Sequence, residues 1–263
     1  MTDFDDLWQP LPEDLALGFG DVHVWRASVD LAAEHVDYFQ PLLAPDEQAR
    51  AARFRFPKDR DRFIVAHGIL RAMLARYLAV EPGALRFCYS RNGKPSLAEE
   101  TGGGTLCFNL SHAHGLALYA VTHGREVGID VEYIRTDLAN EQIAERFFSP
   151  REVSTLRSLP TADRLEAFFN CWTRKEAYIK ARGDGLSLPL NRFDVSLAPG
   201  EPAALVSTPG DPPEAYRWSL KALSPGPGYV GALAVRGYSW RLKCWQWPGG
   251  APPLPPLPSP LPG

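Results

Sequence analysis

The sequence has little cysteine. Four of its 263 residues are cysteines, and no two have the spacing of a CxxC motif or stand with histidines at the spacing of zinc ligands. This pattern excludes a zinc-finger type of site, a CxxC redox centre and a fold built on disulfides. The cysteines, Cys88, Cys107, Cys171 and Cys244, are therefore predicted to be reduced thiols.

The sequence also lacks an excess of one charge and any long apolar run. Lys and Arg number 28 and Asp and Glu 31, so the net charge is -3, whereas a general nucleic-acid-binding protein carries a strong basic field. No apolar run approaches the ~20 residues of a membrane helix, and residues 1–7 lack the apolar region of a signal peptide. We therefore predict a cytoplasmic protein that binds neither nucleic acid nor membrane.

What is present predicts a folded α+β protein of two lobes. Residues 61–63 (Asp-Arg-Phe) and 163–165 (Asp-Arg-Leu) each open a helical pattern that is followed by strand-like segments, and such repetition favours two similar lobes with antiparallel sheets. We predict an arm over 1–17, lobes over 18–124 and 125–247, and a disordered tail over 248–263. That tail has eight prolines in sixteen residues, which excludes a helix or a central strand.

Two carboxylates are predicted to share one face of a strand. Residues 126–134 alternate between apolar and polar side chains, which is typical of a half-buried strand. Asp130 and Glu132 therefore project from the same side. Two interpretations stay open for this pair: a strand face turned towards water, or oxygen ligands for a hard cation such as Mg²⁺.

A third carboxylate and a lysine lie late in the second long helical pattern. Glu176 and Lys180 are four residues apart within residues 172–180 (Trp-Thr-Arg-Lys-Glu-Ala-Tyr-Ile-Lys), so they share a helix face. Alone they describe an ordinary surface ion pair. With Asp130 and Glu132 they supply both the acids for a metal and a base for phosphate oxygens, which is the mixture that a Mg²⁺-diphosphate site needs.

Basic residues are concentrated in the first half of the chain. They are Arg50, Arg53, Arg55, Lys58, Arg60, Arg62 and Arg71. Residues 92–95 (Asn-Gly-Lys-Pro) are typical of a turn that presents a lysine, and Ser111 and His112 come at the end of a predicted strand. A local basic cluster in a chain of negative net charge favours an anionic ligand. The sequence has no Walker loop, GxSxG or HExxH motif.

Two segments together resemble a known family. Residues 128–132 (Gly-Ile-Asp-Val-Glu), followed after 40 positions by residues 172–180, are similar to the paired signature of 4′-phosphopantetheinyl transferases of the Sfp, or surfactin-synthetase-activating, type. Further matches are residues 93–95 (Gly-Lys-Pro), 109–112 (Asn-Leu-Ser-His), 146–149 (Arg-Phe-Phe-Ser) and 185–190 (Gly-Leu-Ser-Leu-Pro-Leu). The resemblance covers residues 20–245, which is nearly all of the predicted folded part.

The resemblance implies a fold, a reaction and a set of site residues. The fold is a pseudo-twofold pair of α+β lobes, with coenzyme A and Mg²⁺, or Mn²⁺, in the cleft between them. The implied metal ligands are Asp130, Glu132 and Glu176. The residues implied to bind coenzyme A are Arg50 and Arg62 at the 3′-phosphate, Lys94 and Pro95 at the adenine end, and His112 and Lys180 at the diphosphate, with Ser111 beside His112.

The implied reaction moves phosphopantetheine from coenzyme A to a serine of an apo acyl or peptidyl carrier protein and releases adenosine 3′,5′-bisphosphate. Glu176, or a water that it helps to hold, would accept the serine proton, and Lys180 would stabilise charge on the departing bisphosphate. Two alternatives stay open: a Mg²⁺-dependent nucleotide-diphosphate hydrolase, and a non-catalytic module that binds carrier proteins. A monomer is expected, because two lobes in one chain already form a complete cleft.

Overall fold

The computed structural model describes residues 7–12, 15–101, 104–139 and 141–250. The α-helices of this part are α1 (Ala33–Phe39), α2 (Pro45–Ala51), α3 (Pro57–Leu78), α4 (Glu141–Phe147), α5 (Pro150–Ser158) and α6 (Thr161–Arg182). The strands are β1 (Gln9–Pro10), β2 (Asp21–Ser28), β3 (Phe87–Tyr89), β4 (Pro95–Leu97), β5 (Leu106–Ala113), β6 (Leu116–His123), β7 (Val127–Tyr133), β8 (Asp194–Val195), β9 (Leu205–Ser207), β10 (Trp218–Leu223), β11 (Tyr229–Arg236) and β12 (Arg241–Gln246). The predicted Pro-rich tail lies outside the described residues from position 251 onwards.

Two main sheets organise the chain. One has the strand order β1-β12-β2-β6-β5 and the other the order β10-β11-β7. Apolar side chains of both sheets, including Val24, Leu118, Ile129 and Leu233, form a shared core. Separate cores lie under α3 and under α6. The shared core fixes one lobe against the other, because the apolar surface it removes from water is lost if the lobes separate.

The last strand does not stay with the second lobe, to which the sequence prediction assigned residues 125–247. β12 pairs in parallel with β2, and β1, from the predicted arm, pairs in parallel with β12. The first sheet is therefore mixed rather than purely antiparallel. Trp8 beside β1 is buried, so part of the arm packs against the fold.

The two lobes repeat one internal arrangement, which confirms the predicted pseudo-twofold α+β fold. In each lobe a glutamate at the third position of a short helix accepts a hydrogen bond from the backbone nitrogen that precedes the helix, and it also pairs with a buried cation. In the first lobe Glu47 pairs with Arg71 at 2.6 Å, and in the second Glu152 pairs with Lys175 at 2.8 Å. Both cations are the fifteenth residue of a 22-residue helix.

These buried cations also anchor the chain that follows each long helix. Arg71 donates to the carbonyl oxygens of Pro82 and Leu85, and Lys175 donates to those of Leu190 and Phe193. Removing one partner of such a pair leaves an uncompensated buried charge. The equivalent pairs therefore hold α3 and α6 in equivalent places. Among the described residues, no helix combines the length and apolarity needed to cross a membrane.

Gly128 lets α6 lie directly against β7. A Cβ atom at this position would clash with the carbonyl oxygen of Ala177 and the backbone nitrogen of Ala181. These are backbone atoms of a helix, so they cannot move aside without shifting α6. The glycine in the sequence signature therefore sets the distance between the strand that carries Asp130 and the helix that carries Glu176.

Replacing Gly128 with alanine is expected to lower the free energy of unfolding by about 3 kcal/mol, the upper range for overpacking a tight contact. Gly83→Ala is the matched control, because nothing lies within 4 Å of a Cβ atom there. Urea denaturation of both variants measures the difference. Equal stability of the two variants would contradict the close packing of α6 on β7.

Candidate active site

Asp130 lies at the centre of a buried polar cluster between β5, β7 and α6. Its Oδ1 accepts a hydrogen bond from Ser111 Oγ at 2.9 Å and one from Lys180 Nζ at 2.6 Å, and Lys180 also donates to Ser111 at 2.8 Å. Asp130 is 3% exposed. Its other carboxylate oxygen, Oδ2, is buried and has no hydrogen-bond partner among the described residues.

Glu132 and Glu176 lie close enough to Asp130 for its charge to act on both of them. Burial raises the pKa of Glu132 to about 7, with the negative charges of Asp130 and Glu176 acting in the same direction. Burial also raises the pKa of Glu176, again helped by Asp130. Lys180 opposes both shifts. The fold therefore brings three mutually repelling carboxylates and one lysine together.

The three carboxylates are near one another without forming a ready-made metal cage. No three His, Cys, Asp or Glu side chains within the described ranges are grouped tightly enough to hold a metal. The physical reason is that like charges repel in a region of low dielectric, while Lys180 neutralises Asp130. A buried carboxylate oxygen without a partner is costly, so Asp130 Oδ2, which no donor of the described residues satisfies, offers an oxygen ligand.

The raised pKa of Glu132 predicts a pH dependence of stability. Between the ordinary glutamate pKa of 4.5 and about 7, the folded state binds more protons than the unfolded state, so the free energy of unfolding falls as the pH rises through this interval. Glu132→Gln removes this titration and should flatten that part of the profile. Urea denaturation in chelator at pH 5, 6 and 7 tests it, and identical slopes for the variant and the wild type would contradict it.

A group of cations surrounds His112 at the end of β5. His112 is exposed to solvent, yet the atoms packed around its ring lower its pKa to about 4 by desolvation. The positive charges of His67, Lys180, Arg62 and Arg50 act in the same direction. The predicted basic residues Arg50, Arg62 and Lys180 therefore lie near enough to His112 for their charges to act on its ring.

The two arginines of this group are held differently. Arg62 donates two hydrogen bonds to Asp30, from Nε at 2.5 Å and from Nη2 at 2.7 Å. The guanidinium of Arg50 lies 5.2 Å from the centre of the Phe63 ring, a cation–π contact. Arg50 is exposed and Arg62 half-buried, so Arg62 has the more restricted orientation.

Lys94 takes a position that the sequence did not predict. The predicted turn over residues 92–95 exists, with Gly93 at φ +82°, but the Lys94 ammonium donates to the carbonyl oxygens of Val127 at 3.1 Å and Ala181 at 2.6 Å. Asn92 donates to the carbonyl of Gly183 at 3.1 Å. The turn therefore docks on the C-terminus of α6, and Lys94 links the two lobes. Pro95 begins β4 and is half-buried.

Two side chains of the cluster had no role in the sequence prediction. Trp172 donates a hydrogen bond to Glu132. Like the charge of Lys180, this bond lowers the pKa of Glu132 against the effect of burial. His67 stacks on the Phe63 ring at 4.0 Å and lies 3.1 Å from Glu47. His67 is four residues after Phe63 and four before Arg71, and this helical spacing is the signal that could have found it.

Comparisons with known proteins show the family of this chain. A model of the 4′-phosphopantetheinyl transferase superfamily matches residues 126–234, and a model of the N-terminal part of 4′-phosphopantetheinyl transferases matches residues 25–123. The 4′-phosphopantetheinyl transferase HetI of Nostoc sp. is 44% identical over 240 residues, which cover 91% of this chain and 98% of that relative. This chain belongs to the 4′-phosphopantetheinyl transferase superfamily.

Other members of the superfamily match shorter stretches. The putative 4′-phosphopantetheinyl transferase slr0495 of Synechocystis sp. is 34% identical and covers 70% of this chain and 73% of its own length. The 4′-phosphopantetheinyl transferase Sfp of Bacillus subtilis is 30% identical and covers 64% of this chain and 72% of its own length. These matches confirm the resemblance read from the sequence, and the chain is a transferase of this superfamily.

Proposed function

We propose that this enzyme transfers the 4′-phosphopantetheinyl group of coenzyme A to a serine of an apo acyl or peptidyl carrier protein. The observation that carries the proposal is the meeting of two charged groups at Lys180. Lys180 donates a hydrogen bond to Asp130, and its charge acts on Glu132 and Glu176 as well as on His112. A metal-bound diphosphate needs both groups, because its charge must be neutralised before an alcohol can attack it.

The carboxylates fit a divalent cation. Asp130 Oδ2 lacks a partner among the described residues, and the repulsion among the three acids is relieved by positive charge between them. Mg²⁺ takes one or two protein carboxylates and completes its shell with water and phosphate oxygens, and Mn²⁺ accepts the same ligands. Asp130, Glu132 and Glu176 would hold it, and when bound it would neutralise and polarise the diphosphate of coenzyme A.

The cations fit the rest of coenzyme A. We assign His112 and Lys180, with Ser111 beside them, to the diphosphate, and Arg62 and Arg50 to the 3′-phosphate. Guanidinium groups match phosphate oxygens in geometry as well as in charge. We place the adenine end beside the turn over residues 92–95. Since the Lys94 ammonium is bonded to two carbonyl oxygens, its contribution there is to hold the turn, with Pro95, in place.

The transfer forms one bond and breaks another at the β-phosphorus of coenzyme A. The carrier serine oxygen bonds to that phosphorus, the bond to the bridging oxygen breaks, and adenosine 3′,5′-bisphosphate leaves with the electron pair. Glu176 accepts the serine proton, directly or through a water. Burial and the charge of Asp130 raise its pKa, and such raised pKa values are typical of acids that act in catalysis. Lys180, one helical turn away, stabilises charge on the leaving group.

Incubation with coenzyme A, Mg²⁺ and a panel of apo carriers, followed by intact mass measurement, tests the proposal. The expected result is a mass gain of one phosphopantetheinyl group on the carrier serine. Breakdown of coenzyme A without a carrier would instead indicate a hydrolase, and a stable complex without either product would indicate a binding module. The panel also identifies the pathway, since fatty-acid, polyketide and nonribosomal-peptide carriers all present such a serine.

We further infer that one chain is sufficient for activity and that it acts in the cytoplasm, where its substrates meet. Both charged groups come from a single chain, because Lys180 of the second lobe contacts Ser111 of the first. Activity that is proportional to enzyme concentration down to nanomolar dilution supports a monomer. A loss of specific activity on dilution would contradict it.

Replacing Arg62 with alanine is expected to weaken coenzyme A about 10- to 100-fold, the range for losing a charge-assisted hydrogen bond. Dephospho-coenzyme A, which lacks the 3′-phosphate, should be almost unaffected. Arg60→Ala is the control, because Arg60 lies on the same helix and pairs with Asp61. The KM values of both variants are measured for both substrates. An equal rise in the two KM values of Arg62→Ala would show that Arg62 does not bind the 3′-phosphate.

A further inference from the structure

Asp30 holds Arg62 through a bidentate ion pair, outside the cluster of Asp130, Glu132 and Glu176. Asp30 lies in the loop after β2, 32 residues before Arg62, and receives both Nε and Nη2 of the guanidinium. The Arg62 side chain is 16% exposed and that of Asp30 41%. Lys58 adds a looser contact to Asp30 at 3.6 Å. A contact with two parallel hydrogen bonds fixes the plane of the guanidinium as well as its place.

The turn between β5 and β6 closes around this pair. Gly115 has φ +95°, and a Cβ atom there would lie 2.7 Å from Asp30 Oδ2 and 3.6 Å from Arg62 Nη2. The Gly115 carbonyl accepts a hydrogen bond from the Val29 backbone nitrogen at 2.8 Å. Only a glycine satisfies both the backbone conformation and the space, so the turn and the ion pair are fitted to each other.

The second lobe supports the same turn. Tyr229 at the start of β11 donates a hydrogen bond from its hydroxyl to the carbonyl oxygen of His114 at 2.7 Å, and His114 stacks on Tyr133 with ring centres 4.5 Å apart. Asp30 and Arg62 are also close enough to influence the pKa of Tyr229. The side chains and the turn that surround Arg62 therefore come from both lobes.

The contacts with Asp30 leave one nitrogen of Arg62 for a ligand. Within the described part of the chain, Nη1 has no hydrogen-bond partner, while Nε and Nη2 are both engaged by Asp30. The guanidinium still lies close enough to His112 to lower the pKa of that ring. Arg62 therefore keeps donor hydrogens for a ligand while Asp30 holds its guanidinium, and its charge acts on His112.

We propose that Asp30 is a positioning residue that aligns Arg62 for the 3′-phosphate of coenzyme A, and so sets the preference of the enzyme for coenzyme A over dephospho-coenzyme A. The inference rests on the proposed function, which assigns Arg62 to that phosphate. Without Asp30 the arginine samples several rotamers, and the phosphate must order it on binding. That ordering costs conformational entropy.

The test compares KM and kcat for coenzyme A and dephospho-coenzyme A in Asp30→Ala, with Asp61→Ala as the matched control. Asp61 pairs with Arg60 on the same helix at 2.8 Å. We expect Asp30→Ala to raise the KM for coenzyme A about tenfold, in line with a loss of charge-assisted contact, with kcat and the KM for dephospho-coenzyme A unchanged. Asp61→Ala should change none of them. Gly115→Ala, which crowds Asp30, should shift the same KM in the same direction.

A double variant separates positioning from an independent effect. If Asp30 acts through Arg62, Asp30→Ala adds no further loss to Arg62→Ala, because coupled residues are not additive. An unchanged or lower KM for coenzyme A in Asp30→Ala, equal losses for both substrates, or full additivity would overturn the inference. A thermal melt of each variant checks folding, and Asp30→Asn, which keeps the size of the side chain, replaces Asp30→Ala if the latter unfolds.

The failure of this inference is distinguishable from failure of the proposed function. If Arg62→Ala raises the KM for coenzyme A and the KM for dephospho-coenzyme A by the same factor, the assignment of Arg62 to the 3′-phosphate is wrong. If Arg62→Ala raises only the KM for coenzyme A and Asp30→Ala does not, Arg62 binds that phosphate without help from Asp30. Only the positioning role of Asp30 is then wrong.

Discussion

Asp130→Ala is expected to lower kcat and the apparent affinity for Mg²⁺ together, with kcat falling at least ~10²-fold, the scale of removing one preorganised electrostatic stabiliser. Asp130 is buried: Ser111 and Lys180 both donate to its Oδ1, and Oδ2 has no donor in the part of the chain that the structure describes. The variant removes a ligand for the cation and frees Lys180 from its acid. Folding should persist, because the substitution also removes repulsion against Glu132 and Glu176.

The measurement is a titration of activity with Mg²⁺ at saturating coenzyme A and carrier. Glu126→Gln serves as the control, since Glu126 precedes the same strand and pairs with Arg236 at the surface. Substituting a surface acid of this kind typically changes the free energy of unfolding little. Near-normal turnover of Asp130→Ala at limiting Mg²⁺ would mean that the three carboxylates do not share a cation.

Glu176→Gln is expected to lower kcat about 10²- to 10⁴-fold, the usual contribution of a general base, while coenzyme A binding changes far less. The amide keeps an oxygen for the cation but cannot accept the serine proton. A loss confined to kcat identifies an interaction made in the transition state. Raised pKa values of acids in a cleft are typical of such bases, and burial with Asp130 nearby raises that of Glu176.

The comparison uses Glu166→Gln, an exposed acid on the same helix. Single-turnover rates and equilibrium binding of coenzyme A are measured separately for each variant. If Glu176→Gln loses binding and rate in equal proportion, Glu176 acts only as a ligand. In that case the proton acceptor is a water that the carboxylates hold rather than Glu176.

The carboxylate side of the site could be predicted because its signals are local. Alternation along β7 predicts that Asp130 and Glu132 lie on one face of the strand. The four-residue spacing predicts that Glu176 and Lys180 lie on one face of the helix. The structure adds the contact that sequence spacing cannot give: Lys180 reaches Asp130, 50 residues away, at 2.6 Å. That contact depends on Gly128, whose missing side chain lets α6 lie on the strand.

Other features were missed because they depend on partners far along the chain. The pattern of residues 240–245 predicts a strand, but alternation does not say which strand it joins. In the structure β12 pairs with β2, about 220 residues earlier. The turn at Lys94 was predicted, whereas the two carbonyl oxygens that bind its ammonium belong to other elements. Asp30 has no local motif at all, and only the fold brings it to Arg62.

The most direct test of the account counts both products of one reaction. Apo carrier, coenzyme A and Mg²⁺ are incubated with the enzyme, and the gain in carrier mass and the adenosine 3′,5′-bisphosphate released are measured on the same sample. The account predicts that the two rise in a one-to-one ratio, that both need the carrier serine, and that both are lost in Asp130→Ala. Release of the bisphosphate without modification of the carrier, or modification that persists in Asp130→Ala, would contradict it.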